Sequence, residues 1–136
     1  MGTQNKYLLD TCICIALIKK EPEVVQRIRE VGVSNCLISE LTLAELYFGA
    51  YKSGRKSHFD DVDYIRGLFD LCPVSNSLRT YGDIRWNLES RGMKLDSMDL
   101  LIGSTALQED LILVTGNTRH FERIPALRLE NWMVHE

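Results

Sequence analysis

The chain has 136 residues, 45% of them hydrophobic and 26% charged, which predicts one domain, spanning 1–136, with a core that needs no disulfide or structural metal. Its apolar run 13–18 falls far short of the roughly 20 residues of a membrane span, and no basic-then-apolar leader opens the chain, so a soluble cytoplasmic protein without membrane contact is expected. Sixteen Lys plus Arg against nineteen Asp plus Glu give a net charge of −3. That balance excludes a protein that coats nucleic acid by charge alone, but not an enzyme that meets phosphates through metal ions.

Taken in order, the elements alternate. Tyr7, Leu8 and Leu9 form a short apolar run suited to a buried strand that stops at Asp10 and Thr11. A helix follows and is broken at Lys19, Lys20, Glu21 and Pro22; from Glu23 a second helix carries Val24, Val25, Ile28 and Val31 on one face and stops at Gly32. Residues 36–39 read as a strand and 41–51 as an apolar helix, while the polar, basic stretch 52–58 reads as a loop. A helix over 60–69 leads to a strand at 71–74, which Pro73 confines to a sheet edge. Helices over 77–91, closed by Gly92, and over 96–109, capped by Asp96 or Ser97, precede the clearest strand, 111–115. A short strand at 128–130 completes the chain. Strands separated by helices predict an α/β fold, a mostly parallel sheet with helices on both faces.

In such a sheet ligands gather outside the carboxyl ends of the strands. Asp10 and Thr11 lie at one such end, Ser39 and Glu40 at a second with Glu45 about a turn beyond, and Thr115, Gly116 and Asn117 at a third; Asp99 opens the helix before that strand. Glu45 is the most informative of these. Its neighbours Leu41, Leu43, Ala44, Leu46, Tyr47, Phe48 and Ala50 cover nearly every face of the helix with apolar groups, so its carboxylate must pair with a cation, take up a proton or bind a metal. Asp99 and Asp96 read individually as helix-capping residues, Asp10 as a turn-former, and Thr115 and Asn117 as turn residues. Their convergence at one edge is what carries information.

Several carboxylates in one pocket repel one another unless a cation neutralises them. All-oxygen ligands select Mg²⁺ or Mn²⁺ over zinc or copper, and such an ion activates water and polarises a phosphoryl oxygen. No nucleophilic Ser-His-Asp or Cys-His arrangement and no glycine-rich phosphate loop competes. His58, His120 and His135 stand in the predicted loop, beside Phe121 and near the chain's end. Cys12, Cys14, Cys36 and Cys72 have the spacing of neither a disulfide framework nor a zinc site and read as reduced thiols. Metal-dependent phosphodiester hydrolysis is the chemistry this set supports.

The runs Leu8-Leu9-Asp10-Thr11, Thr42-Leu43-Ala44-Glu45-Leu46, Asp99-Leu100-Leu101-Ile102-Gly103 and Val114-Thr115-Gly116-Asn117, with the closing stretches 121–125 and 127–132, together resemble a PIN domain, most closely the VapC-type toxins of VapBC toxin–antitoxin pairs. The resemblance implies a three-layer α/β/α fold and a Mg²⁺- or Mn²⁺-dependent endoribonuclease, with in-line attack by an activated water. It matches Asp10, Glu45 and Asp99 to three acidic metal ligands and Thr11 and Thr115 to hydroxyl positions that hold the site. Asn117 stands where many PIN domains carry a fourth acid, and Asp96 is an extra carboxylate nearby. Also implied are a homodimer, a cognate VapB-like antitoxin that masks the site, and a structured RNA substrate such as tRNA.

RNA binding requires cations, for which Lys52, Arg55, Lys56, His58, Arg85, Arg91, Lys94, Arg119 and His120 are candidates; Arg85, mid-helix, is alternatively a partner for a site carboxylate. Trp86 and Trp132 read as core or dimer-contact residues. The competing function is a catalytically inactive PIN-like module that binds RNA or protein. A phosphatase with an aspartate nucleophile fits poorly, because the second Asp it needs two residues on is Cys12 here.

Overall fold

The computed structural model describes residues 4–133; His135 lies outside them. β1 (Tyr7–Leu9), β2 (Cys36–Ser39), β3 (Asp70–Cys72), β4 (Ile112–Val114) and β5 (Leu129–Glu130) form one sheet in the order β3-β2-β1-β4-β5, every pair parallel. β1 is the central strand, with Leu9 opposite both Ile38 and Val114. Parallel pairing requires crossovers, and helices supply them: α1 (Thr11–Ile18) and α2 (Pro22–Val31) between β1 and β2, α3 (Glu40–Ser53) and α4 (Lys56–Leu68) between β2 and β3. α5 (Leu78–Ser90) and α6 (Ser97–Gln108) then lead to β4, and α7 (Thr118–Phe121) lies on the way to β5.

Because successive side chains of a strand point to opposite faces, the sheet divides the apolar residues into two cores. Tyr7, Leu9, Ile112 and Val114 pack with Ile13, Val24, Ile28, Leu46 and Ile65 from α1 to α4. Leu8 and Leu113 pack on the other face with Leu88, Leu100, Ile102 and Phe121 from α5, α6 and α7. The fold is therefore three-layered, α/β/α. The four cysteines are free thiols, and burial pushes Cys36 and Cys72 up to about 11, which leaves them unreactive at neutral pH. No helix among the described residues is long and apolar enough to cross a membrane.

The largest departure from the sequence reading is at 52–58, which is helical at both ends. Only Gly54 and Arg55 separate α3 from α4. Gly54 takes the left-handed conformation at φ 67° and its N–H caps the Ala50 and Tyr51 carbonyls, so two residues suffice to reverse the chain. Polarity there marks exposed helical turns. Pro73 follows the edge strand β3 instead of interrupting it, and a 3₁₀ turn, Ser75–Ser77, delays α5 to Leu78. Trp132 is buried, stacked at a tilt on Tyr7 and lying under the Arg27 guanidinium. Trp86, in contrast, is 73% exposed and belongs to no core.

Gly32 ends α2 at φ 92°, ψ 133°, a region that residues with a Cβ avoid. Gly32→Ala should therefore lower unfolding free energy by about 1–3 kcal/mol in urea denaturation, with the m-value unchanged. An unchanged midpoint would mean that the turn relaxes without strain.

Candidate active site at the carboxyl edge of the sheet

β1 runs into its site without a break. The Asp10 N–H still donates to the Val114 carbonyl at 2.9 Å, extending the β1–β4 ladder by one residue. The Asp10 side chain then turns to cap α1, accepting the Thr11 N–H at 2.8 Å, while its second oxygen accepts the Thr115 hydroxyl at 2.9 Å. Thr115 is fully buried and its oxygen in turn accepts the Asn117 N–H at 3.1 Å. Asp10 is 8% exposed and fixed from two strand ends.

Glu45 lies in the second turn of α3. Ala44 and Phe48 of the same helix are exposed, so the helix is less enclosed than its apolar sequence suggests, and Glu45 is half-buried. Among the described residues its carboxylate has neither a salt bridge nor a hydrogen bond. Burial raises its pKa, and Asp99, Asp10 and Asp96 raise it further by charge repulsion. Asp99 sits in the first turn of α6, with Asp96 as the N-cap accepting the Met98 and Asp99 N–H groups at 3.1 and 3.3 Å. Burial also raises Asp99, reinforced by Asp10 and opposed by His120. Its Oδ2 is 3.2 Å from His120 Nε2, an ion pair whenever the imidazole is protonated.

Asp10, Glu45 and Asp99, with Asp96 behind them, thus share one electrostatic neighbourhood. Thr11 and Thr115 contact Asp10 directly, whereas Asn117 is exposed and reaches the site only through its backbone N–H. Arg85 does not join them. It binds Glu89 at 2.6 Å and the Tyr81 hydroxyl at 2.9 Å on its own helix, the i,i+4 partners that α5 offers without crossing to another element. Among the other cations, Arg91 and Arg119 border one depression of about 420 Å³ together with Arg123. Arg123 donates to the Lys94 carbonyl at 3.2 Å, which brings a basic surface close to the start of α6.

Two residues in the site escaped the sequence reading. His120 reads there as a surface cation, and only the short α7 after β4 carries it onto Asp99. Cys12 reads as an ordinary buried thiol, yet its sulfur accepts the Gly116 N–H at 3.2 Å and so ties the turn after β4 to the start of α1. No local pattern signals either contact, because Asp99 and His120 lie on separate helices on either side of β4 and Gly116 is 104 residues from Cys12.

The donor set is oxygen-rich and over-supplied with negative charge, which suits a hard divalent cation. Among the described residues no three acidic, histidine or cysteine side chains form a ready metal cage. Mg²⁺ commonly takes one or two carboxylates and retains water elsewhere, so the all-oxygen chemistry of the donor set fits such an ion.

The PIN domain family model matches residues 7–127. Ribonuclease VapC2 of Rickettsia felis is 38% identical over 130 residues, covering 93% of this chain and 97% of the relative. The tRNA(fMet)-specific endonuclease VapC of Shigella flexneri is 36% identical over 138 residues, covering 93% and 98%. The crystal structure of VapBC2 from Rickettsia felis, bound to a promoter DNA fragment, superposes with a TM-score of 0.85 at 35% identity, over 93% of this chain and 98% of that one. The chain belongs to the PIN-domain family and, within it, to the VapC ribonuclease type.

Glu45 and Asp99 hold their protons more tightly folded than unfolded. Their contribution to stability is therefore complete below the ordinary carboxylate range and is lost as pH rises through the raised values. Without metal, Glu45→Gln should raise the melting temperature by roughly 2–4 °C at neutral pH, the gain being small because the group is partly solvated. The advantage should vanish near about pH 4, where glutamate is itself largely neutral. Equal or lower melting temperatures at both pH values would show that the carboxylates do not repel one another appreciably.

Proposed function

We propose that this chain is a metal-dependent endoribonuclease toxin that hydrolyses RNA phosphodiester bonds, with Mg²⁺ or Mn²⁺ as cofactor and a VapB-like antitoxin as its silencer. The observation that carries the reading is the set of Asp10, Glu45 and Asp99 at the carboxyl edge of the sheet, where Glu45 has no cationic partner among the described residues and repulsion raises both Glu45 and Asp99. The name of the Shigella flexneri relative favours tRNA as the RNA class, and the VapBC2 complex favours a paired antitoxin. A single PIN-like domain over 1–136, acting in the cytoplasm, completes the reading.

In this reading Asp10, Glu45 and Asp99 hold the ion. When bound, a hard cation neutralises the carboxylates, polarises a phosphoryl oxygen and acidifies water. The chain's own groups do the rest. Thr115 and Thr11 donate to Asp10 and fix its two oxygens, so the carboxylate is oriented before substrate arrives. Glu45 either shares the ion or orients the attacking water. His120 steadies Asp99, Asn117 supports Thr115 through its N–H, and Arg91, Arg119 and Arg123 offer positive charge to flanking phosphates. Exposed Phe48, Tyr51 and Trp86 are apolar surface suited to contact with a second copy, consistent with a homodimer.

Purified protein freed of antitoxin should cut total tRNA into discrete fragments with Mg²⁺ or Mn²⁺. EDTA should abolish cleavage, and Asp10→Asn should reduce it on the order of 10²–10³-fold, the usual cost of removing one charge-stabilising group. Cleavage that survives both would contradict a metal site built on Asp10. Metal binding without cleavage of any RNA would instead favour a binding module.

A further inference from the structure

Beside the carboxylates, between α1, α3 and α4, lies a cavity of about 330 Å³ that Thr11 and Glu45 help to line. Ile15, Leu46 and Val62 give it apolar walls, and Gly49 contributes only backbone. A Cβ built on Gly49 meets nothing within 4 Å, so this glycine leaves space that a larger residue would occupy. Two polar side chains face the cavity from neighbouring positions on α4. His58 and Asp61 are both half-buried, and among the described residues neither side chain has a hydrogen bond or an ion pair. Partly desolvated groups without partners are costly unless a ligand supplies the missing bonds.

We propose that this cavity receives one guanine of the substrate RNA, turned out beside the scissile phosphate, and that Asp61 reads its edge. The proposal rests on the endoribonuclease reading above. Apolar walls with polar groups at the rim are what an unstacked base requires, since its faces are apolar and its edge hydrogen-bonds. An aliphatic side chain from a protein partner would fill the walls and leave Asp61 and His58 unsatisfied. An ionised carboxylate only accepts, and guanine presents two adjacent donors, N1–H and the N2 amino group, to its two oxygens. Uracil would set carbonyls against the same carboxylate. Glu45 and Thr11 line the cavity while Thr11 also binds Asp10, so a base held there stays within one nucleotide of the carboxylates.

The test is cleavage of a hairpin RNA pool with randomised loop bases, in Mg²⁺, followed by sequencing of the cut ends. Wild type should enrich guanine at one position flanking the cut. Asp61→Asn should erase that preference and lower kcat/KM on guanine-bearing loops about tenfold or more, the loss expected for a hydrogen bond to a charged acceptor. Gly49→Leu should slow cleavage of guanine-bearing loops to the rate of the others while its helical circular dichroism and metal binding match wild type. A wild-type cut with no flanking preference, or a preference that Asp61→Asn retains, would overturn the proposal. Should wild type cut no RNA at all, the ribonuclease reading fails, and the cavity is judged separately by NMR titration. Guanosine 5′-monophosphate should then move the Gly49 amide and His58 ring signals in wild type and leave the His58 ring still in Gly49→Leu, with uridine 5′-monophosphate moving none of them. No movement would refute the base site. An antitoxin peptide that moves these signals while both nucleotides leave them still would assign the cavity to the protein partner.

Discussion

Asp10 stands where the central strand of a parallel sheet runs out, and this position organises everything around it. In a parallel sheet all strands end on the same side, so residues far apart in sequence arrive at one edge whether or not their charges are compatible. Here three of them are carboxylates, with Asp96 adding a fourth charge behind Asp99. Hydrogen bonds to Thr11 and Thr115 fix Asp10, which leaves the burden of repulsion on Glu45 and Asp99. A fold that concentrates like charge in this way gives up stability at neutral pH that a bound cation can restore. The cost at the site and the proposed chemistry are two consequences of one arrangement.

The rest of the molecule keeps that edge rigid. Two apolar cores clamp the sheet, one built from α1 to α4 and the other from α5 to α7. α1 begins at Asp10 and α6 carries Asp99, so the helices that hold the acids are also those that seal opposite faces. At the far end of β5, Glu130 accepts both Arg27 at 3.1 Å and Trp132 Nε1 at 2.9 Å. This polar knot pins the last strand to α2. Site geometry therefore depends on long-range packing rather than on any loop of its own.

Much of this is legible in the sequence because parallel α/β proteins write their strands as short, unbroken apolar runs. Tyr7-Leu8-Leu9 and Ile112-Leu113-Val114 are buried on both faces, and their pattern can mean little else. The edge follows from topology alone, which is why Asp10, Glu45 and Asp99 could be brought together without coordinates. Contacts made by irregular backbone are not legible. The stretch 52–58 reads as a loop since its residues are polar, yet Gly54 lets the helices meet across two residues. Arg85 reads as an RNA-binding cation or a partner for a site acid, whereas it pairs with Glu89, one turn away on its own helix. His120 joins the site through the single helical turn of α7, and Cys12 through the turn after β4, contacts that no periodicity encodes.

The claim that a divalent cation belongs among Asp10, Glu45 and Asp99 is tested most directly by calorimetric titration of Mn²⁺ into the metal-free protein at neutral pH. Saturable binding is expected, weakening as pH falls into the carboxylate range because protons compete with the ion for Glu45 and Asp99, and weakening sharply in Asp99→Asn. Absence of saturable binding, or binding that Asp99→Asn leaves intact, would contradict it.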